Sequence, residues 1–155
     1  TPPPCDLNGI SKPQLANRNS VAVVDFFVEK SLGSTIDRGL ADICRSAIQE
    51  SGLFILIDRE NMLTILGEED FASVIKCDDT KCLVDYGKKL RAQKMVHGRL
   101  SQVGDAFVLT IKLTDVSTGK VESFKTSQIR GSTDELLKWV QPQTCQLLRE
   151  AANAN

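Results

Sequence analysis

Met95-Val-His-Gly-Arg-Leu-Ser-Gln-Val-Gly-Asp-Ala-Phe-Val-Leu-Thr-Ile-Lys-Leu-Thr-Asp-Val-Ser-Thr-Gly-Lys-Val121 reads as three antiparallel strands separated by two short turns. The breaks fall at Val103-Gly104-Asp105 and at Ser117-Thr118-Gly119-Lys120, where glycine accepts the positive φ that tight hairpins demand. Between them, Phe107, Leu109, Ile111 and Leu113 alternate with Val108, Thr110, Lys112 and Thr114. A period of two sets one face against a core and leaves the other largely wet.

Upstream, Val21-Ala-Val-Val-Asp-Phe-Phe27 is a continuous apolar run, the pattern of a strand buried on both faces. Ser34 is placed as an N-cap, with Asp37 three residues on. Ile36, Leu40, Ile43, Ala47 and Ile48 then repeat at helical spacing up to Gly52. Phe54-Ile-Leu-Ile-Asp58 reads as a second buried strand, so this unit predicts a right-handed parallel crossover. Asp58-Arg-Glu-Asn61 caps a short helix ending near Leu66, and a polar link leads to Cys77. A further helix begins at Thr80, capped by Asp78 and Asp79, and carries Leu83, Tyr86 and Leu90.

After the hairpins, Ser132 and Glu135 have capping-box spacing, with acids well placed against the helix dipole. Leu136, Leu137, Val140, Leu147 and Leu148 mark the last helix, and Pro142 is expected to kink it or to start its second half. The order β-α-β-α-α-β-β-β-α defines an α/β fold of the mixed α+β kind, with about five strands in a three-layer-like mixed sheet flanked by helices. Residues 1–19 read as an extended, proline-containing extension, and residues 20–153 as a single domain.

A chain of 155 residues is most simply one domain, able to bury roughly two-thirds of its unfolded surface. Apolar residues make up 41% and charged residues 25%, so a core forms without metal or dense cross-linking. With 19 basic and 20 acidic residues, the net charge of −1 provides no field favouring nucleic acid or anionic lipid. No apolar run reaches the ~20 residues that span a bilayer.

Five cysteines suit an oxidising compartment. Cys77 and Cys82, with four residues between them at a helix entrance, are placed to form a local disulfide. Cys5 and Cys145 flank the domain as a second candidate pair that would clip its ends together. Cys44 falls on the buried stripe of the first helix. His97 is the only histidine, and without a set of four ligands at zinc-site spacing it reads as a structural residue and no metal is expected.

Taken together, Val21–Phe26, Phe54–Met62, the Cys77/Cys82 pair before a helix, and the hairpins with Asp115-Val-Ser-Thr-Gly119 resemble one family. This is the bacterial cell-envelope domain related to the curli-secretion lipoprotein CsgG, the amino-terminal domain of TolB and the penicillin-binding-protein activator lipoproteins. The resemblance covers about residues 20–150 and rests on the order and spacing of the motifs. It implies a periplasmic or outer-membrane-associated protein that works by contact, with no catalytic residue and no cofactor. A lipid anchor, where present, is expected upstream, because Thr1-Pro-Pro-Pro4 before Cys5 is not a lipobox.

The expected function is therefore that of a non-enzymatic interaction domain of the envelope, binding another envelope protein or itself. Two alternatives stand beside it. One is a subunit of an envelope secretion or assembly complex. The other is a small-ligand site around Asp25 and Asp58, which lie toward the carboxyl ends of the first two strands, where α/β sheets place ligands. The blander reading has Asp58 capping a helix and Asp25 closing a strand. Lys88, Lys89, Arg91 and Lys94 form a basic cluster expected on a solvated helix face, and the periodicity leaves Trp139 unassigned between core and surface.

Overall fold

A six-stranded mixed sheet, ordered β3-β1-β4-β5-β6 with β2 alongside β4, organises the chain. The computed structural model describes residues 1–29, 32 and 36–153. The strands are β1 (Asn19–Val23), β2 (Phe27–Val28), β3 (Phe54–Leu56), β4 (Lys94–Val103), β5 (Ala106–Asp115) and β6 (Lys120–Arg130). The helices are α1 (Ile36–Ser51), α2 (Arg59–Ile75), α3 (Thr80–Leu90) and α4 (Thr133–Asn153). β1 pairs in parallel with both β3 and β4, whereas β4, β5 and β6 form the antiparallel meander.

One face of the sheet carries Val21, Val23, Val96, Leu100, Leu109, Ile111 and Leu113 against α1 and α4. The other buries Ala22, Val24, Met95 and Val116 under α2 and α3. Alternation in β5 follows the sequence pattern, with Phe107, Leu109, Ile111 and Leu113 buried. Gly104 and Gly119 take φ of 62° and 71° in the two turns. In the second turn the Asp115 carboxylate accepts hydrogen bonds from the Ser117 hydroxyl and the Thr118 amide. Burial alone would raise the Asp115 pKa, but these bonds and the Lys94 ammonium hold it well below the ordinary carboxylate value.

Three expectations are corrected. The run from Val21 to Phe27 is interrupted: β1 ends at Val23, and β2 resumes at Phe27. At the break the Val24 amide still donates to Val96, but the Asp25 side chain turns to arginines on two helices. This break adds the sixth strand. The second strand is not buried on both faces, because β3 is the short edge of the sheet and Ile55 is 43% exposed. The polar link after Leu66 is helical, since α2 continues to Ile75 through a break at Gly67, whose φ of 81° and ψ of 164° suit glycine. Phe71 and Val74 anchor its second half in the core.

The N-terminal extension is docked on the domain. Leu7 packs on the core, the Arg149 guanidinium donates to the carbonyls of Asp6 and Asn8, and Cys5 is bonded to Cys145. The proposed N-cap Ser34 lies outside the described residues.

Phe26 explains why Gly98 sits in the middle of β4. A Cβ at Gly98 would lie 2.7 Å from the Phe26 ring, closer than packed carbons allow. Gly98→Ala is therefore expected to cost about 2 kcal/mol through overpacking. Urea unfolding checks this, and pairing it with Phe26→Leu should recover part of the loss.

Candidate functional site

Asp25 is 4% exposed and lies at the β1–β2 break. Its Oδ1 accepts from Arg45 Nη2 at 2.7 Å, and its Oδ2 accepts from Arg59 Nη2 at 2.7 Å. Arg45 extends from α1 and also donates to the Val23 carbonyl and to Asp42. Arg59 opens α2 and lies over the Phe71 ring at 4.9 Å. Burial alone would raise the Asp25 pKa, yet the hydrogen bonds and charges of Arg59 and Arg45 outweigh it and hold the value below 3.8. The same contact with Asp25 raises the pKa of Arg59.

This cluster ties the sheet to α1 and α2. Each oxygen of Asp25 already accepts a charge-assisted bond, the strong kind. Asp58 stands at the N-cap position of α2 with no side-chain cap bond. Its carbonyl accepts from the Met62 amide, and it is Arg59, the next residue, that reaches Asp25.

Cys77 and Cys82 are joined, with Cα atoms 5.6 Å apart, and Cys5 and Cys145 are joined at 5.4 Å. Asp79 is the N-cap of α3, accepting from the Cys82 amide. Cys44 is a free, buried thiol whose pKa burial pushes up to about 11. It is inert as a nucleophile at neutral pH. Burial and the Lys112 charge push His97 down to about 4, so its imidazole is neutral.

The basic cluster read from the sequence is divided. Lys94 is drawn into a pair of acids, Asp115 at 3.0 Å and Glu122 closer still. Lys89 pairs with Asp70 on the surface, and Arg91 ends α3 in the left-handed conformation. Trp139 packs partly buried against the core. Among the described residues no group of three His, Cys, Asp or Glu is placed to hold a metal, and no helix is long and apolar enough to cross a membrane.

The open part of the molecule is the β6 side of the sheet. β6 runs for eleven residues and pairs only with β5 among the described residues. α4 covers its inner face, where Ser123 donates to the Leu147 carbonyl and Ile129 is buried. On the outer face Phe124 is 60% exposed and Val121 is 40% exposed. Phe124, Thr126 and Gln128 lie opposite Lys112, Thr110 and Val108 of β5. Sequence reasoning missed this surface. Its signal was an aromatic residue at the polar register of a strand, opposite Lys112 rather than opposite an apolar partner.

These features define a mixed α/β domain with helices on both faces of a six-stranded sheet and one long edge strand, β6, that pairs only with β5 among the described residues. The same fold occurs in the LpoB C-terminal domain from Salmonella enterica, with a TM-score of 0.56 and 18% identity over 73% of this chain and 83% of that chain. It occurs in the lipoprotein GNA1162 from Neisseria meningitidis, with a TM-score of 0.58 and 13% identity over 75% and 83% of the two chains. A PelC dodecamer from Paraburkholderia phytofirmans is similar over 92% of this chain and 94% of its own, with a TM-score of 0.53 and 16% identity. At these identities the likeness is one of fold. No curated protein matches the sequence. The chain belongs to the DUF3280 family, described as "Protein of unknown function (DUF2380)", whose family model matches residues 38–140.

Proposed function

We propose that this chain is a non-enzymatic protein-interaction domain of the bacterial cell envelope, working on the periplasmic side in association with the outer membrane. The observation that carries this reading is the free edge of β6, eleven residues long, with Val121 and Phe124 exposed beside it. A bare edge presents unpaired backbone donors and acceptors, and strand addition uses them for affinity while side-chain contacts supply specificity. Lys120, Glu122 and Lys125 along the strand discourage indiscriminate pairing. The two disulfides fit an oxidising compartment. Fold likeness to a lipoprotein of Neisseria meningitidis and the sequence resemblance to the curli-secretion and TolB group support the same placement. The partner is another envelope protein or a second copy of the chain.

Val121→Lys with Phe124→Lys tests it. Exposed substitutions of this kind change stability by about 0.5 kcal/mol or less, whereas losing an aromatic anchor weakens an interface about tenfold or more. Wild-type protein is expected to capture one envelope protein from extracts, or to self-associate in sedimentation velocity, and the variant is expected to lose that binding. Capture unaffected by the substitutions, or neither capture nor self-association by the wild type, would refute the proposal.

A second reading, a subunit of an envelope assembly, is favoured by the near full-length likeness to a chain that forms a dodecamer. Ring-sized particles in mass photometry support it, and a strict monomer at micromolar concentration rules it out.

A further inference from the structure

We propose that the cavity floored by the β4–β5 ladder binds a small oxyanion, a carboxylate or a phosphate. The cavity holds about 190 Å3, with His97, Arg99, Thr110 and Lys112 on its floor and Cys77 and Asp78 on its wall. His97 lies directly opposite Lys112, and Arg99 directly opposite Thr110. Opposed side chains on one sheet face start about 5 Å apart, so the four polar groups form a two-by-two patch the size of one small ligand. The wall is held in place by the Cys77–Cys82 bond, and the chain leaves it through the Asp79 cap of α3.

Two cations meet in this patch without an ion-pair partner among the described residues. Among the described residues neither Arg99 nor Lys112 has a carboxylate within ion-pair distance. Lys94, three residues before His97 on the same strand, shows the contrast, held by Asp115 and Glu122. Arg99 stacks over the Phe27 ring at 4.8 Å. Stacking occupies the flat face of a guanidinium and leaves its planar N–H fork for a carboxylate or phosphate.

Lys112 adds a point charge, the Thr110 hydroxyl can donate, and neutral His97 keeps one N–H. Thr110 and Thr126 are already hydrogen-bonded across to β6 at 3.0 Å, which fixes the Thr110 rotamer. Asp78 is the one adverse charge on the lining. Drug-sized and cofactor sites occupy roughly 300–1,000 Å3, so the volume selects a compact anion. This inference rests on the cavity and not on the β6 edge, so either stands if the other fails.

The test is a 15N NMR titration of the whole chain at constant ionic strength, first with inorganic phosphate and separately with succinate. Saturable shifts confined to His97, Arg99, Thr110, Lys112 and the Cys77–Asp78 wall are expected. The probe that produces them identifies the source as phosphate or carboxylate. Arg99→Ala and Lys112→Ala should each weaken binding about tenfold, the loss of one charge-assisted contact. Lys112→Arg should retain it, and Asp78→Asn should tighten it. Unchanged unfolding midpoints in these variants show that the fold is intact. No saturable shift with either probe, or affinity unchanged in both alanine variants, overturns the proposal.

Discussion

Cys5→Ser combined with Cys145→Ala is expected to destabilise the protein by about 4 kcal/mol, more than any other change considered for this chain. The bond spans 140 residues, so it restricts nearly the whole unfolded polypeptide, and loop-closure entropy grows with the enclosed length. The melting temperature should fall by roughly 10 °C for a domain of this size. Alanine at position 145 avoids placing a hydroxyl in a site that is 2% exposed.

The folded state should survive, because Leu7 still packs on the core and Arg149 still holds the Asp6 and Asn8 carbonyls. The Cys77–Cys82 bond encloses a sequence separation of only five, and removing it should cost about 2 kcal/mol. Urea unfolding of both variants without reductant checks the order. Equal losses in the two would mean that loop length does not set the effect.

Asp25→Asn is expected to cost about 3 kcal/mol at neutral pH, because it leaves two guanidinium groups packed against a neutral amide. Arg45 is the more demanding partner, with a side chain only 7% exposed. The pH dependence has a definite sign. The folded pKa of Asp25 lies below 3.8, and the unfolded value is about 3.9. Its stabilisation is therefore fully present above the unfolded pKa and is lost as pH falls through the folded value. Wild type should lose stability steeply below about pH 4, and Asp25→Asn should have a shallower acid limb. A variant as stable as wild type at pH 7, with the same acid limb, would show that the cluster contributes nothing.

The sequence revealed the meander clearly because its information is local. Each strand carries its own period of two, and Gly104 and Gly119 mark the turns. The α4 stripe was equally plain except at Leu137, which lies exposed. What stayed hidden depends on partners distant in the chain. The break at Asp25 is made by Arg45 and Arg59, 20 and 34 residues away, while locally Val21–Phe27 is one apolar run. The insertion of β1 between β3 and β4 leaves β3 at an edge, and no property of Phe54–Leu56 by itself reports that position.

The second half of α2 was concealed by Glu68, Glu69 and Asp70 after Gly67. These acids read as a link, although acids suit the start of a helix. The candidate site was partly visible. Asp25 stood out as a charge within an apolar strand, but its saturation by two arginines and the bareness of β6 emerge only from the assembled sheet.

β6 is the surface through which we propose this domain works. Photo-cross-linking in intact envelopes addresses it most directly, with a photoreactive phenylalanine analogue at Phe124, at Thr126, or at Leu137 on the exposed side of α4. Single adducts of one defined mass are predicted from positions 124 and 126, with none from 137. Adducts from 137 alone, or none from either β6 position, would contradict the account.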